Sequence, residues 1–279
     1  MAMFRSGSAR RRLLLCAALV FGAVPLVVGV QAAVRVSGAF EPEPIAARAK
    51  APTRKTSNSI ALVIGNAHYP DASDPLVQTV NDARGLADTL KSRGFDVDQH
   101  EDLTKAGMDQ AIQAFSARVR PGMTVLISFG GYGLQVNREN YLLPVDATIW
   151  TPADVVRDGI NLNAVLADLN GRGAAVKIVI LDASRRGPFE RRIRRVSIGL
   201  APVQAPQSTL VLSAMTPGKT SEDTASDHGR VMSEVIEGLR RGRVNLETMF
   251  NRARMQVSTE SGGDQVPSVT SSLTEDLLL

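Results

Sequence analysis

The sequence predicts an α/β fold with a mostly parallel central sheet flanked by helices on both faces. Short apolar runs rich in β-branched residues recur along the chain, and helical stretches separate them. The runs are continuously apolar rather than alternating, which is typical of strands buried on both faces of a parallel sheet. The chain has 279 residues, 44% of them hydrophobic and 22% charged, which suffices for one sizeable core.

The elements follow one another in a regular order. The predicted strands are 60–64, 95–97, 124–129, 176–181 and 209–213. The predicted helices are 80–92, 104–119, 161–169, 229–239 and 245–257. Thr104 is the expected N-cap of the second helix. Because ligands gather beyond the carboxyl ends of parallel strands, we expect chemistry in the segments that follow the first, third, fourth and fifth strands.

Residues 1–32 have the layout of a secretory signal. A basic segment ends at Arg12, an apolar run of 18 residues spans 13–30, and cleavage is expected after Ala32. Because 18 apolar residues reach the lower limit of a membrane span, an uncleaved anchor through residues 13–30 stays open. In both cases we expect an exported protein, free in the periplasm or anchored on the periplasmic face of the inner membrane.

The leader also accounts for the net charge of the chain. The formal charge is +4, and residues 1–32 hold four arginines and no acidic residue, so the remainder is neutral. Residues 33–57 are rich in Pro, Ala, Arg and Lys without apolar periodicity and are predicted to form a flexible linker. Residues 58–279 then form a single domain. Nucleic acid is not an expected partner, because the body is exported and lacks aromatic residues interleaved with basic ones.

Counting residues excludes several kinds of site. Cys16 is the only cysteine and lies in the leader, so the mature chain has no disulfide, zinc-cysteine site, iron-sulfur cluster or cysteine nucleophile. No group of histidines and carboxylates has the spacing of metal ligands. The glycine-rich segment 130–133 follows a strand but precedes no helix, which is not the context of a dinucleotide site. We therefore expect no metal and no cofactor.

Five short segments together resemble the caspase and metacaspase peptidases. They are Ala61–Asn66, Asn81–Ala83, Asn140–Asp146, Ile180–Arg185 and Ala214–Gly218, and they occur in the family's order. The resemblance implies a caspase-like three-layer sandwich. It also implies a cysteine peptidase whose histidine lies in a Ser-Gly-His-Gly turn and whose cysteine lies in an Asp-Ala-Cys-Arg turn, about 50 residues later.

The sequence departs from this family at both catalytic positions. Tyr132 stands where the resemblance places the histidine, and Ser184 stands where it places the cysteine, 52 residues later. A serine hydroxyl needs a base, and a tyrosine with an ordinary pKa near 10 is rarely ionised at neutral pH. We therefore predict a pseudopeptidase. The alternative is an active peptidase or other hydrolase that uses Ser184 as its nucleophile.

Two acidic residues match the substrate pocket of the family. In metacaspases, acidic residues bind a basic side chain, and the matching positions are Asp82 and Asp182. A guanidinium or ammonium group that leaves water needs a fixed carboxylate. We therefore predict that a basic peptide or a protein partner binds there. The alternative is that Asp82 is an exposed acid at the start of a helix and that Asp182 accepts hydrogen bonds from local amides.

One segment is strongly basic. Arg185–Arg195 holds six arginines in eleven residues. Three interpretations stay open, namely a loop that meets an anionic surface, a solvated loop without a partner, and a loop at which the chain is processed.

Overall fold

A computed structural model describes residues 54–55, 58–189, 193, 199–221 and 226–279. The leader predicted over 1–32 lies outside these residues, as does most of the linker predicted over 33–57. Within the described part of the chain, no helix is both long enough and apolar enough to cross a membrane. The apolar run 13–30 lies outside this part.

The described residues form eleven strands and six helices. The strands are β1 (Arg54–Lys55), β2 (Ser59–Gly65), β3 (Asp96–Glu101), β4 (Thr124–Gly130), β5 (Gly133–Val136), β6 (Glu139–Leu142), β7 (Ile160–Asn161), β8 (Val176–Asp182), β9 (Thr209–Ser213), β10 (Ser268–Ser271) and β11 (Leu277–Leu278). The helices are α1 (Val77–Ser92), α2 (Lys105–Arg118), α3 (Pro152–Asp158), α4 (Leu162–Gly171), α5 (Arg230–Arg240) and α6 (Leu246–Glu260).

Six strands form the central sheet, in the order β10-β9-β8-β4-β2-β3. All neighbours are parallel except β10, which runs antiparallel to β9. One buried cluster joins the sheet to α1, α5 and α6, and a second joins it to α2 and α4. The α/β fold with helices on both faces of a mostly parallel sheet is therefore confirmed, and so is the burial that the continuously apolar strands predicted.

Several boundaries agree closely with the sequence. Thr104 caps α2, with its side chain accepting a hydrogen bond from the Gly107 amide. Helix α1 begins at Val77, three residues before the predicted start at Val80. Its first turn buries the polar residues Gln78 and Thr79. An apolar pattern does not reveal burial of polar residues.

The sequence missed three groups of elements, one of which is the parallel pair β1-β11, whose strand Arg54–Lys55 lies within the segment predicted as a flexible linker. A three-stranded sheet, β5-β6-β7, and helix α3 lie between β4 and α4. The turn between β5 and β6 is Asn137-Arg138, with φ of 52° and 68°, and arginine is not a residue that predicts such a tight hairpin. Strand β10 has the sequence Ser-Val-Thr-Ser at the edge of the sheet, so it lacks the apolar run of a buried strand.

The parallel register brings three strand ends together. Gly65 at the end of β2 pairs with Gly130 at the end of β4, and Gly130 pairs with Asp182 at the end of β8. The segments that leave these strands therefore begin side by side. This edge of the sheet carries the candidate site.

Candidate functional site

The two turns predicted to carry a catalytic pair lie against each other. The Gly131 amide donates a hydrogen bond to the Asp182 carbonyl (3.1 Å), and the Gly133 amide donates one to the Ala183 carbonyl (2.9 Å). Tyr132 and Ser184 follow neighbouring strands and are held by these bonds. The structure thus brings together the two residues that sequence reasoning paired.

Tyr132 is part of an aromatic cluster and is buried. Its ring lies 4.7 Å from the Tyr69 ring and 5.9 Å from the Phe189 ring, both in edge-on arrangements. The Tyr132 amide donates a hydrogen bond to the Tyr69 hydroxyl (3.1 Å), which in turn donates to the Leu143 carbonyl (2.9 Å). Burial raises the pKa of Tyr69. The rings fill the space beside the first turn.

Two glycines permit this close packing. A Cβ added at Gly131 would lie 2.5 Å from the Tyr69 hydroxyl oxygen, and one added at Gly187 would lie 3.3 Å from the Tyr132 ring. Gly187 lies between Ser184 and Phe189, so the start of the arginine-rich segment packs onto the turn that holds Tyr132. Ile193 belongs to the same buried cluster.

Ser184 is buried, with only 1% of its surface exposed. Its carbonyl accepts a hydrogen bond from the Ser221 amide (2.7 Å), which fixes the backbone of the second turn. Within the described residues, the Ser184 hydroxyl forms no hydrogen bond to a histidine or a carboxylate. His68 instead pairs with Asp102 (2.6 Å), and His228 pairs with Asp82 (2.8 Å).

Asp82 and Asp182 converge on one point of the backbone. Asp82 lies in the second turn of α1, Asp182 ends β8, and both are buried. A Cβ added at Gly229 would lie 3.0 Å from Asp82 Oδ2 and 3.2 Å from Asp182 Oδ2. The two carboxylates predicted to form a pocket are therefore neighbours. The view of Asp82 as an exposed acid at the start of a helix is wrong, because α5 and the segment before it cover this part of α1.

The environment of Asp82 favours its protonated form. Burial raises the pKa of Asp82 to about 7, and the nearby charge of Asp182 acts in the same direction. The Asp82 carboxylate accepts hydrogen bonds from the Gly229 amide (3.2 Å to each oxygen) and contacts His228 Nδ1, and these contacts oppose the shift. His228 Nδ1 lies within hydrogen-bond distance of Asp82, at 2.8 Å from Oδ1.

Arg185 binds Asp182 from within the chain. Its Nη2 donates to Asp182 Oδ2 (2.6 Å), its Nη1 donates to the Asp182 carbonyl, and only 4% of its side chain is exposed. The Arg185 guanidinium therefore points inward to a carboxylate, and the three interpretations of the basic segment as a whole stay predictions. Arg186 is exposed, and residues 190–192, 194 and 195 of this segment lie outside the described residues.

The segment 226–229 lies over the start of α1. Gln78 Nε2 donates to the Ser226 carbonyl (2.7 Å), and Asn81 Nδ2 donates to the Asp227 carbonyl (3.0 Å). His228 and Gly229 also contact Asp82. Polar contacts therefore link this segment to three side chains of α1, namely Gln78, Asn81 and Asp82. The segment therefore covers Asp82 on the side of α1.

The sequence that forms this sheet and these turns matches the model of a known protein family. The model of the caspase domain matches residues 58–278. The chain belongs to the caspase family. A search of the curated proteins finds no significant match. The family resemblance drawn from the five short segments is confirmed, while the assignment of Tyr132 and Ser184 to the catalytic positions stays a prediction.

Sequence reasoning did not assign two members of the caspase-like site. Arg185 was considered as part of the family segment Ile180–Arg185 and of the basic segment, and no sequence motif places His228. The spacing of three residues between Asp182 and Arg185 is compatible with a local ion pair, but it does not exclude an exposed side chain. Among the described residues, no group of three or more His, Cys, Asp or Glu side chains is arranged to hold a metal ion.

Proposed function

We propose that this protein is an exported caspase-family domain without peptidase activity, which binds a basic peptide or a basic segment of a protein partner through Asp82 and Asp182. The observation that carries the proposal is the convergence of the two buried carboxylates on Gly229. Two carboxylates held this close repel each other and attract a cation. The chemistry of the pocket therefore fits an arginine or lysine side chain.

The surroundings of Ser184 support the absence of catalysis. A nucleophilic serine needs a base within hydrogen-bond reach and access to its substrate. Within the described residues, Ser184 has neither a histidine nor a carboxylate on its hydroxyl, and 1% of its surface is exposed. Both histidines that pair with a carboxylate do so elsewhere, at Asp102 and at Asp82.

Binding is tested with two labelled peptides that differ only in a terminal arginine or its neutral analogue citrulline. We expect the arginine peptide to bind the wild-type protein, and Asp82→Asn and Asp182→Asn to weaken that binding. Asp102→Asn is a matched control, because Asp102 also pairs with a histidine at this edge of the sheet. Equal binding of the arginine and citrulline peptides would exclude a basic pocket.

Catalysis is tested with peptide amides that end in Arg or Lys. We expect the wild-type protein to hydrolyse them no faster than Ser184→Ala does. Incubation with a fluorophosphonate, followed by mass spectrometry of the Ser184 peptide, is expected to show no adduct. Hydrolysis that disappears in Ser184→Ala would establish the alternative, a hydrolase with Ser184 as its nucleophile.

Export follows from the leader and is part of the proposal. Fusion of residues 1–40 to a reporter that is active only outside the cytoplasm is expected to give signal. Replacing Leu14 and Leu19, within the apolar run, by arginine should remove that signal because the run loses its hydrophobic continuity. A reporter that stays inactive with the native leader would contradict export and leave the binding pocket untouched.

A further inference from the structure

Asp82 and Asp182, which form the proposed acidic pocket, already have a cation beside them. Arg185 Nη2 lies 2.6 Å from Asp182 Oδ2, and the side chain is almost completely buried. Charge-assisted hydrogen bonds of this length are among the strong ones in proteins. An incoming arginine that is to bind Asp182 needs the position that this guanidinium holds.

The remaining donors of the pocket are also in place. The Gly229 amide donates to both oxygens of Asp82, and His228 Nδ1 contacts one of them. The Gly229 backbone lies between the two carboxylates. The Arg185 guanidinium compensates the charge of Asp182, and the Gly229 amide and His228 both contact the carboxylate of Asp82. The pocket in this state therefore has little attraction for a second cation.

We propose that Arg185 is the resident cation of the acidic pocket, and that a basic side chain of a partner enters only by replacing Arg185 at Asp182. This proposal rests on the proposed function, because it describes how the same pocket is opened. The exchange replaces one guanidinium-carboxylate pair by another, so Asp182 keeps a counterion throughout. Arg185 thereby sets both the affinity of the pocket and its selectivity for side chains that pair with a carboxylate.

The backbone around Arg185 allows such an exchange. The Ser221 amide holds the Ser184 carbonyl, and Arg185 forms an isolated parallel bridge with Ser221. The main chain is therefore fixed beside the pocket. Replacing the guanidinium requires rotation of the Arg185 side chain and not a rearrangement of the strand end. The exposed neighbour Arg186 shares the same stretch of backbone without binding Asp182 in the described structure, which makes it a matched control.

The test compares binding of the arginine and citrulline peptides to the full chain and its variants. Arg185→Ala is expected to bind the arginine peptide at least about tenfold more tightly than the wild-type protein does. In the wild type, only those molecules in which Arg185 has left Asp182 can bind the peptide, whereas in Arg185→Ala all molecules can. Arg186→Ala is expected to bind like the wild type. Asp182→Asn added to Arg185→Ala should remove the gain.

Small guanidinium ions provide a second readout. Ethylguanidinium is expected to raise the melting temperature of Arg185→Ala, because it fills the position of the missing group, and to leave that of Arg186→Ala unchanged. If the wild-type protein binds the arginine peptide and Arg185→Ala binds it no more tightly, the resident-cation proposal is overturned and the proposed function stands. If neither protein binds it while both are folded by circular dichroism, the proposed function fails as well.

One measurement does not depend on the folding of Arg185→Ala. In the wild-type protein labelled with ¹⁵N, a buried and hydrogen-bonded guanidinium gives resolved NMR signals, which Arg185→Lys identifies by their absence. Saturating arginine peptide is expected to move or broaden these signals, whereas the citrulline peptide should not. Signals that stay unchanged while the arginine peptide is bound would overturn the proposal.

Discussion

Two neighbouring regions at the same edge of the sheet are filled in opposite ways. The region around Tyr132 and Ser184 is filled by aromatic rings, with Tyr69 and Phe189 packed edge-on against Tyr132. The region around Asp82 and Asp182 is filled by charged and polar groups. Asp182 lies only two residues before Ser184. The comparison shows that one region of this edge is packed as apolar core, while the region beside it holds buried charge.

The difference has a physical consequence. Aromatic packing is stable without any partner, because burial of apolar surface is favourable by itself. Buried carboxylates are not stable without a partner, since each needs a counterion, a proton or hydrogen-bond donors. The second region supplies all three, through Arg185, the raised pKa of Asp82 and the Gly229 amide. We therefore expect this region to respond to pH and, under the proposed function, to an added cation.

The largest expected effect tests the charged region. Asp182→Ala should lower the free energy of unfolding by about 3–5 kcal/mol, because it leaves the buried Arg185 guanidinium without its carboxylate. Asp168→Ala is the control: Asp168 pairs with Arg172 at 2.8 Å, but both side chains are exposed by more than 40%. That change should cost less than about 1 kcal/mol. Urea denaturation measures both values, and equal losses would mean that burial does not distinguish the two pairs.

The next effect tests the aromatic region. Tyr132→Ala should lower the free energy of unfolding by about 3 kcal/mol, because it leaves a cavity beside Tyr69 and Phe189. Trp150→Ala removes a larger ring that is 59% exposed and should change stability by less than about 1 kcal/mol. Thermal and urea denaturation of both variants provide the measurement. A negligible loss in Tyr132→Ala would show that the first region is not packed as core.

A smaller effect concerns the pH dependence of stability. Folded Asp82 keeps its proton up to about pH 7, while an unfolded aspartate loses it near 3.8. Protons therefore favour folding in this window, and the contribution of Asp82 is fully present below about pH 4 and lost as pH rises to about 7. Its size should be on the order of a few kcal/mol, because each pKa unit corresponds to about 1.4 kcal/mol.

The measurement is the difference in unfolding free energy between the wild type and Asp82→Asn across pH 4–8. The wild type should become less stable relative to Asp82→Asn as pH rises to 7, and the difference should level off above that. The Asp102→Asn variant supplies the opposite case, because hydrogen bonds from Ala67 and His68 lower the pKa of Asp102 despite the opposing effect of its burial. A flat difference for Asp82→Asn would contradict the raised pKa.

The smallest expected effect tests the link between the first turn and its surroundings. Tyr69→Phe should cost about 1–2 kcal/mol, because the Tyr132 amide loses its acceptor and the Leu143 carbonyl keeps only the hydrogen bond from Asn66 Nδ2. The ring itself is kept, so the aromatic packing stays. Hydrogen exchange at the Tyr132 amide should become faster in this variant. Unchanged exchange would mean that the Tyr69 hydroxyl does not hold the turn.

The sequence predicted the central sheet well because its signals are local. Strands β2, β4, β8 and β9 are continuously apolar, and the helices between them show clear apolar faces. Hairpin β5-β6 and edge strand β10 were missed, because a turn of Asn137-Arg138 and a strand of mostly polar residues carry weak local signals. Boundaries also shifted where polar residues are buried, as in the first turn of α1.

The sequence by itself determined the buried strands of the central sheet, the family and the two turns that carry Tyr132 and Ser184. Only the tertiary structure decided what fills each region. His228 and Asp82 are 146 positions apart, and their contact depends on α5 packing beside α1. Arg185 lies three positions from Asp182, yet whether its side chain turns inward depends on burial by segments far away in the sequence. Local patterns encode which residues avoid water, whereas the pairing of buried charges is decided by the packing of distant elements.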